Sequence, residues 1–84
     1  MNNVRQRFFE LFIFETKNYL DELERILLAS QEGERLSHDD VNNIFRIMHT
    51  IKGTAATMEY GLLSSLAHKI EDIFSELRDD ENAQ

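Results

Sequence analysis

The chain contains no cysteine and no proline, and it has only three glycines among 84 residues. Without cysteine there are no disulfide bonds and no thiol catalysis. Without proline, and with so little glycine, long stretches carry no helix breaker. Apolar side chains recur at intervals of three and four residues and do not alternate, which is typical of helices. We therefore predict an all-α protein, and at this length a single domain spanning residues 1–84.

Positive charge is also scarce. The chain has 9 Lys and Arg against 16 Asp and Glu, for a formal net charge of -7. This balance argues against binding to nucleic acid or to an anionic membrane surface. No apolar run approaches the ~20 residues that span a bilayer. Glu10 and Glu15 interrupt the apolar N-terminal segment, which argues against a signal peptide. We expect a soluble, cytoplasmic helical module.

The apolar spacing predicts three helices, at about residues 4–29, 38–59 and 62–78. Gly33 lies in the polar stretch that separates the first two, and Gly61 marks the second connection. Because both connections are short, neighbouring helices should run antiparallel in an up-down-up bundle.

Local signals predict how the second helix begins and the third ends. Ser37 is a good N-cap, and Asp40 stands where a capping box has its acidic residue. At the other end of the chain, Asp79 and Asp80 place negative charge at a helix C-terminus, where it is unfavourable. The third helix is therefore expected to fray near residue 78.

Each predicted helix has an apolar face. The face of the first helix consists of Phe8, Phe12, Tyr19, Leu23, Ile26 and Leu27, with Leu20 beside them. The face of the second consists of Val41, Ile44, Phe45, Met48, Ile51, Ala55 and Met58. The face of the third consists of Leu63, Leu66, Ala67, Ile70, Ile73, Phe74 and Leu77. In residues 8–14 the apolar side chains surround the first helix, which is typical of a helix buried on more than one side. Two further helices cover only one side, so a homodimer is expected.

The segment around His49 carries the strongest functional signal. His49 lies at the flank of the second helix's apolar face, and Lys52 shares its side at i+3. Gly53 inside a helix costs about 1 kcal/mol relative to alanine, and close approach by another molecule would explain it. In an antiparallel bundle Glu71 and His68 reach a similar height on the third helix. We predict a polar surface cluster of His49, Lys52, Glu71 and His68.

Such a cluster suits phosphoryl transfer. A neutral imidazole is a nucleophile through one ring nitrogen when a carboxylate holds the proton on the other. A nearby ammonium can neutralise charge on a phosphoryl group. Lys52-Gly53 is not preceded by the glycine-rich run of a P-loop, so the cluster would receive and pass on a phosphoryl group without activating ATP itself.

The stretch Phe45-Arg46-Ile47-Met48-His49-Thr50-Ile51-Lys52-Gly53-Thr54-Ala55-Ala56, followed by Leu66-Ala67-His68-Lys69-Ile70-Glu71, resembles histidine phosphotransfer (HPt) domains. Specifically, it looks like the N-terminal HPt domain of CheA-type chemotaxis histidine kinases.

The resemblance implies that His49 is phosphorylated, with Lys52 beside the phosphoryl group and Glu71 and His68 in the supporting network. A separate ATP-binding kinase domain would be the donor and response-regulator receiver domains the acceptors. Gly53 and Ala56 lie at i+4 and i+7 from His49, and we expect their small side chains to let a receiver domain dock on this face. The domain itself would hold no cofactor and no metal, because ATP and magnesium belong to these partners.

The chain departs from the family in three respects. Thr54 and Ala56 stand where many relatives are richer in glycine, which would alter how closely a partner helix docks. Glu59 stands where the family usually has glycine, so a different turn before the third helix is expected. The family's bundle also contains a fourth helix, whereas three are predicted here. This difference suggests a shortened fragment of a larger kinase.

Two other functions stay open. One is a metal-binding bundle, although di-iron bundles use repeated, inward-facing Glu-x-x-His pairs and this chain has one His-x-x-Glu on an outer flank. The other is a structural helical adaptor in which the motif is coincidental. His38 has no counterpart in the family and is interpreted as incidental.

Overall fold

The computed structural model describes residues 3–30 and 35–82, with the side chains of residues 81 and 82 left undescribed. The described residues form three helices, α1 (Asn3–Ser30), α2 (His38–Thr57) and α3 (Gly61–Asn82), and contain no strand. The predicted all-α fold is confirmed. The predicted break at Gly33 lies outside the described residues. Within those ranges, none of the helices is both long and apolar enough to cross a membrane.

The start of α2 follows the predicted capping box. The Ser37 hydroxyl accepts a bond of 3.0 Å from the backbone N–H of Asp40, whose carboxylate accepts one of 3.3 Å from the Ser37 N–H. Two backbone donors that α2 itself cannot satisfy are thus paired, and this sets where the helix begins.

The turn between α2 and α3 differs from the prediction. α2 ends at Thr57, and Gly61 is already the first residue of α3. Glu59 has a φ of 64°, and bonds run from Tyr60 N–H to Ala55 C=O and from Glu59 N–H to Ala56 C=O. These are the two bonds of a Schellman cap, in which glycine is the preferred left-handed residue. Glu59 takes that position, at a cost of about 1 kcal/mol relative to glycine.

The predicted end of α3 near residue 78 is also wrong, because the helix continues to Asn82. Arg78 is held from two sides. Its guanidinium lies 4.2 Å from the centre of the Phe45 ring, and its Nε lies 3.7 Å from a carboxylate oxygen of Asp79. The contact with Phe45 ties the last turns of α3 to α2, and the contact with Asp79 offsets part of the unfavourable negative charge at the helix end.

α2 is the central helix. The Lys52–Glu71 pair joins it to α3 on one flank, and Tyr19 of α1 borders Ile47 on the other. The Phe12 and Tyr60 rings, 5.4 Å apart, bring the first half of α1 to the end of α2, so α1 and α2 are antiparallel. The core cluster consists of Ile26, Ile44, Ile47, Met48, Ile51 and Ala67, with Tyr19, Leu23, Leu36, Leu63, Ile70 and Phe74 packed against it.

The prediction of the core was incomplete. Ile47, which was left out of the apolar face, is buried. Six residues placed on apolar faces are exposed instead: Phe8, Leu20, Leu27, Leu66, Ile73 and Leu77. In the described part of the chain α1 and α3 make no close backbone contact with each other. Both therefore pack on α2, and neither covers the other.

An open groove therefore lies between α1 and α3. We define it by the exposed stripes Phe9, Ile13, Leu20 and Leu27 on α1 and Leu62, Leu66, Ile73 and Leu77 on α3. At 100° per residue, the α1 stripe is turned toward α3, and the α3 stripe lies on the side of that helix away from Glu71. The groove is thus apolar on both walls and separate from the face that carries His49.

We expect the chain to self-associate through this groove. The whole chain has a solvent-accessible surface of 6433 Å², whereas that of a compact monomer of its mass is roughly 5,200 Å². The excess, roughly 1,200 Å², is larger than the ~800 Å² that each partner buries in a protein interface of ordinary size. Light scattering at micromolar concentration should give the mass of a dimer. Leu20→Glu in the groove should return the chain to a monomer, and Leu11→Glu, at an exposed position on the opposite side of α1, should not. A monomeric mass for the unmodified chain would contradict this prediction.

Candidate functional site

Three of the four predicted site residues meet at the junction of α2 and α3. His49 Nδ1 lies 2.6 Å from Glu71 Oε2, and Lys52 Nζ lies 2.7 Å from Glu71 Oε1. The carboxylate thus receives the imidazole on one oxygen and the ammonium on the other. The exposed fractions of the side chains are 62% for His49, 29% for Lys52 and 9% for Glu71. The His49 imidazole therefore faces solvent, whereas the Glu71 carboxylate that binds it is buried.

The burial of Glu71 corrects an expectation, because a carboxylate on the flank of α3 was predicted to be partly exposed. Oε1 is shielded from solvent and accepts no well-aligned hydrogen bond. Its negative charge is instead balanced by the Lys52 ammonium, 2.7 Å away. Contact with Lys52 lowers the pKa of Glu71 below its usual value; burial opposes this shift, and the bond to His49 adds to it. Glu71 is therefore an anion at neutral pH.

An anionic Glu71 decides the tautomer of His49. A carboxylate only accepts hydrogen bonds, so the proton of the neutral imidazole lies on Nδ1. The lone pair is then on Nε2, the nitrogen away from Glu71. This is the arrangement in which an imidazole acts as a nucleophile and in which a carboxylate stabilises the positive ring that results.

Phe45 and Arg78 extend the site beyond the predicted residues. The Phe45 ring lies one helical turn before His49, with its centre 6.3 Å from that of the imidazole and the two planes inclined by 20°. Arg78 covers the Phe45 ring from α3. Phe45 was interpreted only as part of the apolar face, and Arg78 was not singled out. The i, i+4 spacing of Phe45 and His49 was the available signal for the first.

His68 does not join the cluster. Its Nε2 lies 3.7 Å from a carboxylate oxygen of Asp72, one turn further along α3. Within residues 3–30 and 35–82, no bond connects it to His49, Lys52 or Glu71. His68 follows Ala67, which is buried against α2, so a step of about 100° turns its side chain outward.

Gly53 and Ala56 are exposed on the same side of α2 as His49. A Cβ added to Gly53 would meet nothing within 4 Å, so no neighbouring part of the described chain requires glycine there. Helix packing therefore does not explain this residue. Near it, the Ser64 hydroxyl donates a bond of 3.1 Å to the backbone carbonyl of Lys52 and ties α3 to this turn of α2.

Metal binding gains no support from the geometry. In the part of the chain that the structure describes, no three His, Asp or Glu side chains are grouped as a metal ion would require. In the pair of His49 with Glu71, the second carboxylate oxygen of Glu71 is already occupied by the Lys52 ammonium.

Comparison with known proteins gives consistent matches. Residues 7–84 match the model of the Hpt domain. The chain is 36% identical over 69 residues to the chemotaxis protein CheA of Borreliella burgdorferi, which covers 82% of the chain and 8% of that protein. It is 36% identical over 73 residues to CheA of Bacillus subtilis, covering 86% and 11%. It is 30% identical over 73 residues to the sensor histidine kinase CheAY of Helicobacter pylori, covering 87% and 9%.

The chain thus spans about a tenth of the length of these relatives. No solved structure gives a significant match. The family model covers nearly the whole chain, including α1 from residue 7 onward, α2, α3 and the His49–Glu71–Lys52 cluster. The chain therefore belongs to the Hpt domain family.

Proposed function

We propose that the chain is a phosphoryl carrier in two-component signalling, with His49 Nε2 as the atom that is phosphorylated. The observation that carries the proposal is the 2.6 Å contact between His49 Nδ1 and a buried, anionic Glu71. This contact leaves a lone pair on the exposed side of the ring. A structural histidine does not need both a carboxylate on one nitrogen and access to solvent for the other.

In the first step the Nε2 lone pair attacks the γ-phosphorus of ATP held by a kinase domain. The N–P bond forms while the bond from phosphorus to the bridging oxygen breaks, and ADP leaves with that electron pair. The ring gains a positive charge, which the Glu71 carboxylate stabilises through the proton on Nδ1. In the second step an aspartate oxygen of a receiver domain attacks the phosphorus, and the electrons of the N–P bond return to Nε2.

Lys52 has two roles in this proposal. Its ammonium holds Glu71 in the charged form. Lying at i+3 from His49, on the same side of α2, it would also offset part of the negative charge of a phosphoryl group on the ring. With Lys52 only 29% exposed, its charge is less screened by solvent than that of a surface lysine.

The partners are proposed from the relatives. Several matched proteins are named chemotaxis protein CheA, and one is named a sensor histidine kinase. The donor would accordingly be a histidine kinase catalytic domain that binds ATP and magnesium, and the acceptors would be response-regulator receiver domains in the cytoplasm. The chemistry needs no metal or cofactor on the chain itself.

The experiment is direct. The chain is incubated with radiolabelled ATP and the catalytic domain of a CheA-type kinase, and the label is tested for stability in acid and in alkali. Label that is lost in acid and kept in alkali is expected, because a phosphorus–nitrogen bond behaves in this way and a phosphoserine or an acyl phosphate does not. Absence of such label would favour the structural adaptor.

Gly53 is proposed as part of the surface on which the receiver domain docks. Because a side chain at Gly53 would meet open space, Gly53→Leu should leave the fold intact and block close approach by a partner. We expect transfer from phosphorylated His49 to a receiver domain to fall roughly tenfold or more, since misplacement by about 1 Å is sufficient. Asn18→Leu, an exposed polar-to-leucine change on α1, is the matched control. Equal transfer by the two variants would exclude docking at this face.

A further inference from the structure

We propose that Phe45 and Arg78 are positioning residues that hold the plane of the His49 imidazole for phosphoryl transfer, an inference that rests on the proposed function. The Phe45 and His49 rings are near parallel, at 20°, with their centres 6.3 Å apart. This separation lies within the range of offset-stacked aromatic pairs. The two residues are four apart on α2, so the contact follows directly from the helix geometry.

The site needs such a contact. The His49 side chain is held at Cβ by the backbone and at Nδ1 by the bond to Glu71. The ring can still rotate about the line that joins these two atoms, as χ1 and χ2 change together. With 62% of its side chain exposed, His49 has little packing to prevent this rotation. The lone pair on Nε2 lies in the plane of the ring, so its direction changes as the ring turns. A flat, near-parallel neighbour restricts that motion and keeps the lone pair aimed at the incoming phosphorus.

Arg78 in turn holds Phe45. Its guanidinium lies 4.2 Å from the centre of the phenyl ring, within the distance at which a cation is attracted to an aromatic face. Phe45 itself is only half-buried, so packing alone does not lock its rotamer. The Arg78 side chain is 30% exposed and directed by its 3.7 Å contact with Asp79. The cation therefore limits the movement of the ring that lies beside His49.

The two supports of His49 come from one face of α3. Glu71 and Arg78 are seven residues apart, or two helical turns, so both point toward α2. Glu71 acts on the edge of the imidazole directly, and Arg78 acts on its plane through Phe45. The packing of α3 against α2 thus determines both the tautomer and the orientation of the ring.

The test compares three substitutions. Phe45→Leu removes the flat surface but keeps an apolar side chain, and it should lower the kcat of His49 phosphorylation roughly tenfold with little change in the KM for the kinase domain. Phe45→Tyr keeps the aromatic face and should restore the rate. Arg78→Gln removes the cation and should give an intermediate rate.

The matched control is Phe12→Leu. This change removes the same atoms from a phenylalanine buried on α1 against Tyr60, not on the α3 face that carries Glu71 and Arg78, so it should reduce stability without lowering kcat. A second readout needs no phosphorylation: the NMR signals of the His49 ring protons should shift in Phe45→Leu and return in Phe45→Tyr, because a neighbouring aromatic ring alters them.

The results separate two failures. A wild-type rate in Phe45→Leu, or an equal loss of rate in Phe12→Leu, would overturn the positioning role while phosphorylation of His49 stands. Absence of phosphorylation in the unmodified chain would overturn the proposed function, and the positioning role for that reaction with it. A selective loss of kcat in Phe45→Leu, with recovery in Phe45→Tyr, supports the inference.

Discussion

His49→Gln is expected to abolish phosphoryl acceptance while leaving the helical structure intact. The substitution removes the nucleophilic nitrogen, so no acid-labile label should remain. The side chain of His49 is 62% exposed, and replacing it opens no core cavity, so the loss of stability should be small. The glutamine amide can also donate a hydrogen bond to Glu71, which keeps the buried carboxylate satisfied. Label is counted after the acid and alkali treatments, and circular dichroism reports the helix content.

The matched control is His38→Gln, at the beginning of α2. It removes a histidine by the same substitution about three helical turns from His49 and should be labelled like the unmodified chain. Acid-labile label on His49→Gln would mean that another residue is phosphorylated. An unfolded His49→Gln would show that His49 has a structural role.

The second large effect is expected for Glu71→Gln, which should slow phosphorylation of His49 roughly a hundredfold without removing it. The nucleophile is still present, but a neutral amide neither selects the Nδ1–H tautomer nor stabilises the positive ring of the transition state. Single-turnover labelling under saturating ATP and kinase is the measurement. Asp72→Gln, a neighbouring and exposed carboxylate on α3, is the control. Equal rates in the unmodified chain and Glu71→Gln would exclude the role of the carboxylate.

Glu71→Gln should also lose stability, and the loss should depend on pH. The pKa of Glu71 in the folded chain lies below the ordinary value of 4.5, so the ionised carboxylate stabilises the fold above that pH. This contribution is lost as the pH falls through the folded-state pKa. The difference in Tm between the unmodified chain and Glu71→Gln should therefore be largest near neutral pH and shrink below about pH 4.5. A difference that stays constant with pH would contradict this account.

The sequence by itself determined the features that depend on near neighbours in the chain. Helix periodicity placed three helices, and the Ser37–Asp40 capping box set the start of α2. Spacing within each helix put Lys52 on the side of His49. Counting residues outward from a short connection brought Glu71 to the same height, because two antiparallel helices rise equally per residue. His49, Lys52 and Glu71 were accordingly predicted as one cluster, and the structure brings them together.

Only the tertiary structure decided how far each side chain is covered and in which direction it is held. Helix periodicity cannot distinguish a half-exposed flank from a buried one, so the burial of Glu71 and the outward turn of His68 depended on how α3 lies against α2. The same packing brings Arg78 over Phe45, a contact between residues 33 positions apart that no local pattern encodes. The open groove has the same origin. The sequence determines the apolar stripes of α1 and α3. Whether a stripe is buried or left exposed depends on how the whole helices pack against one another.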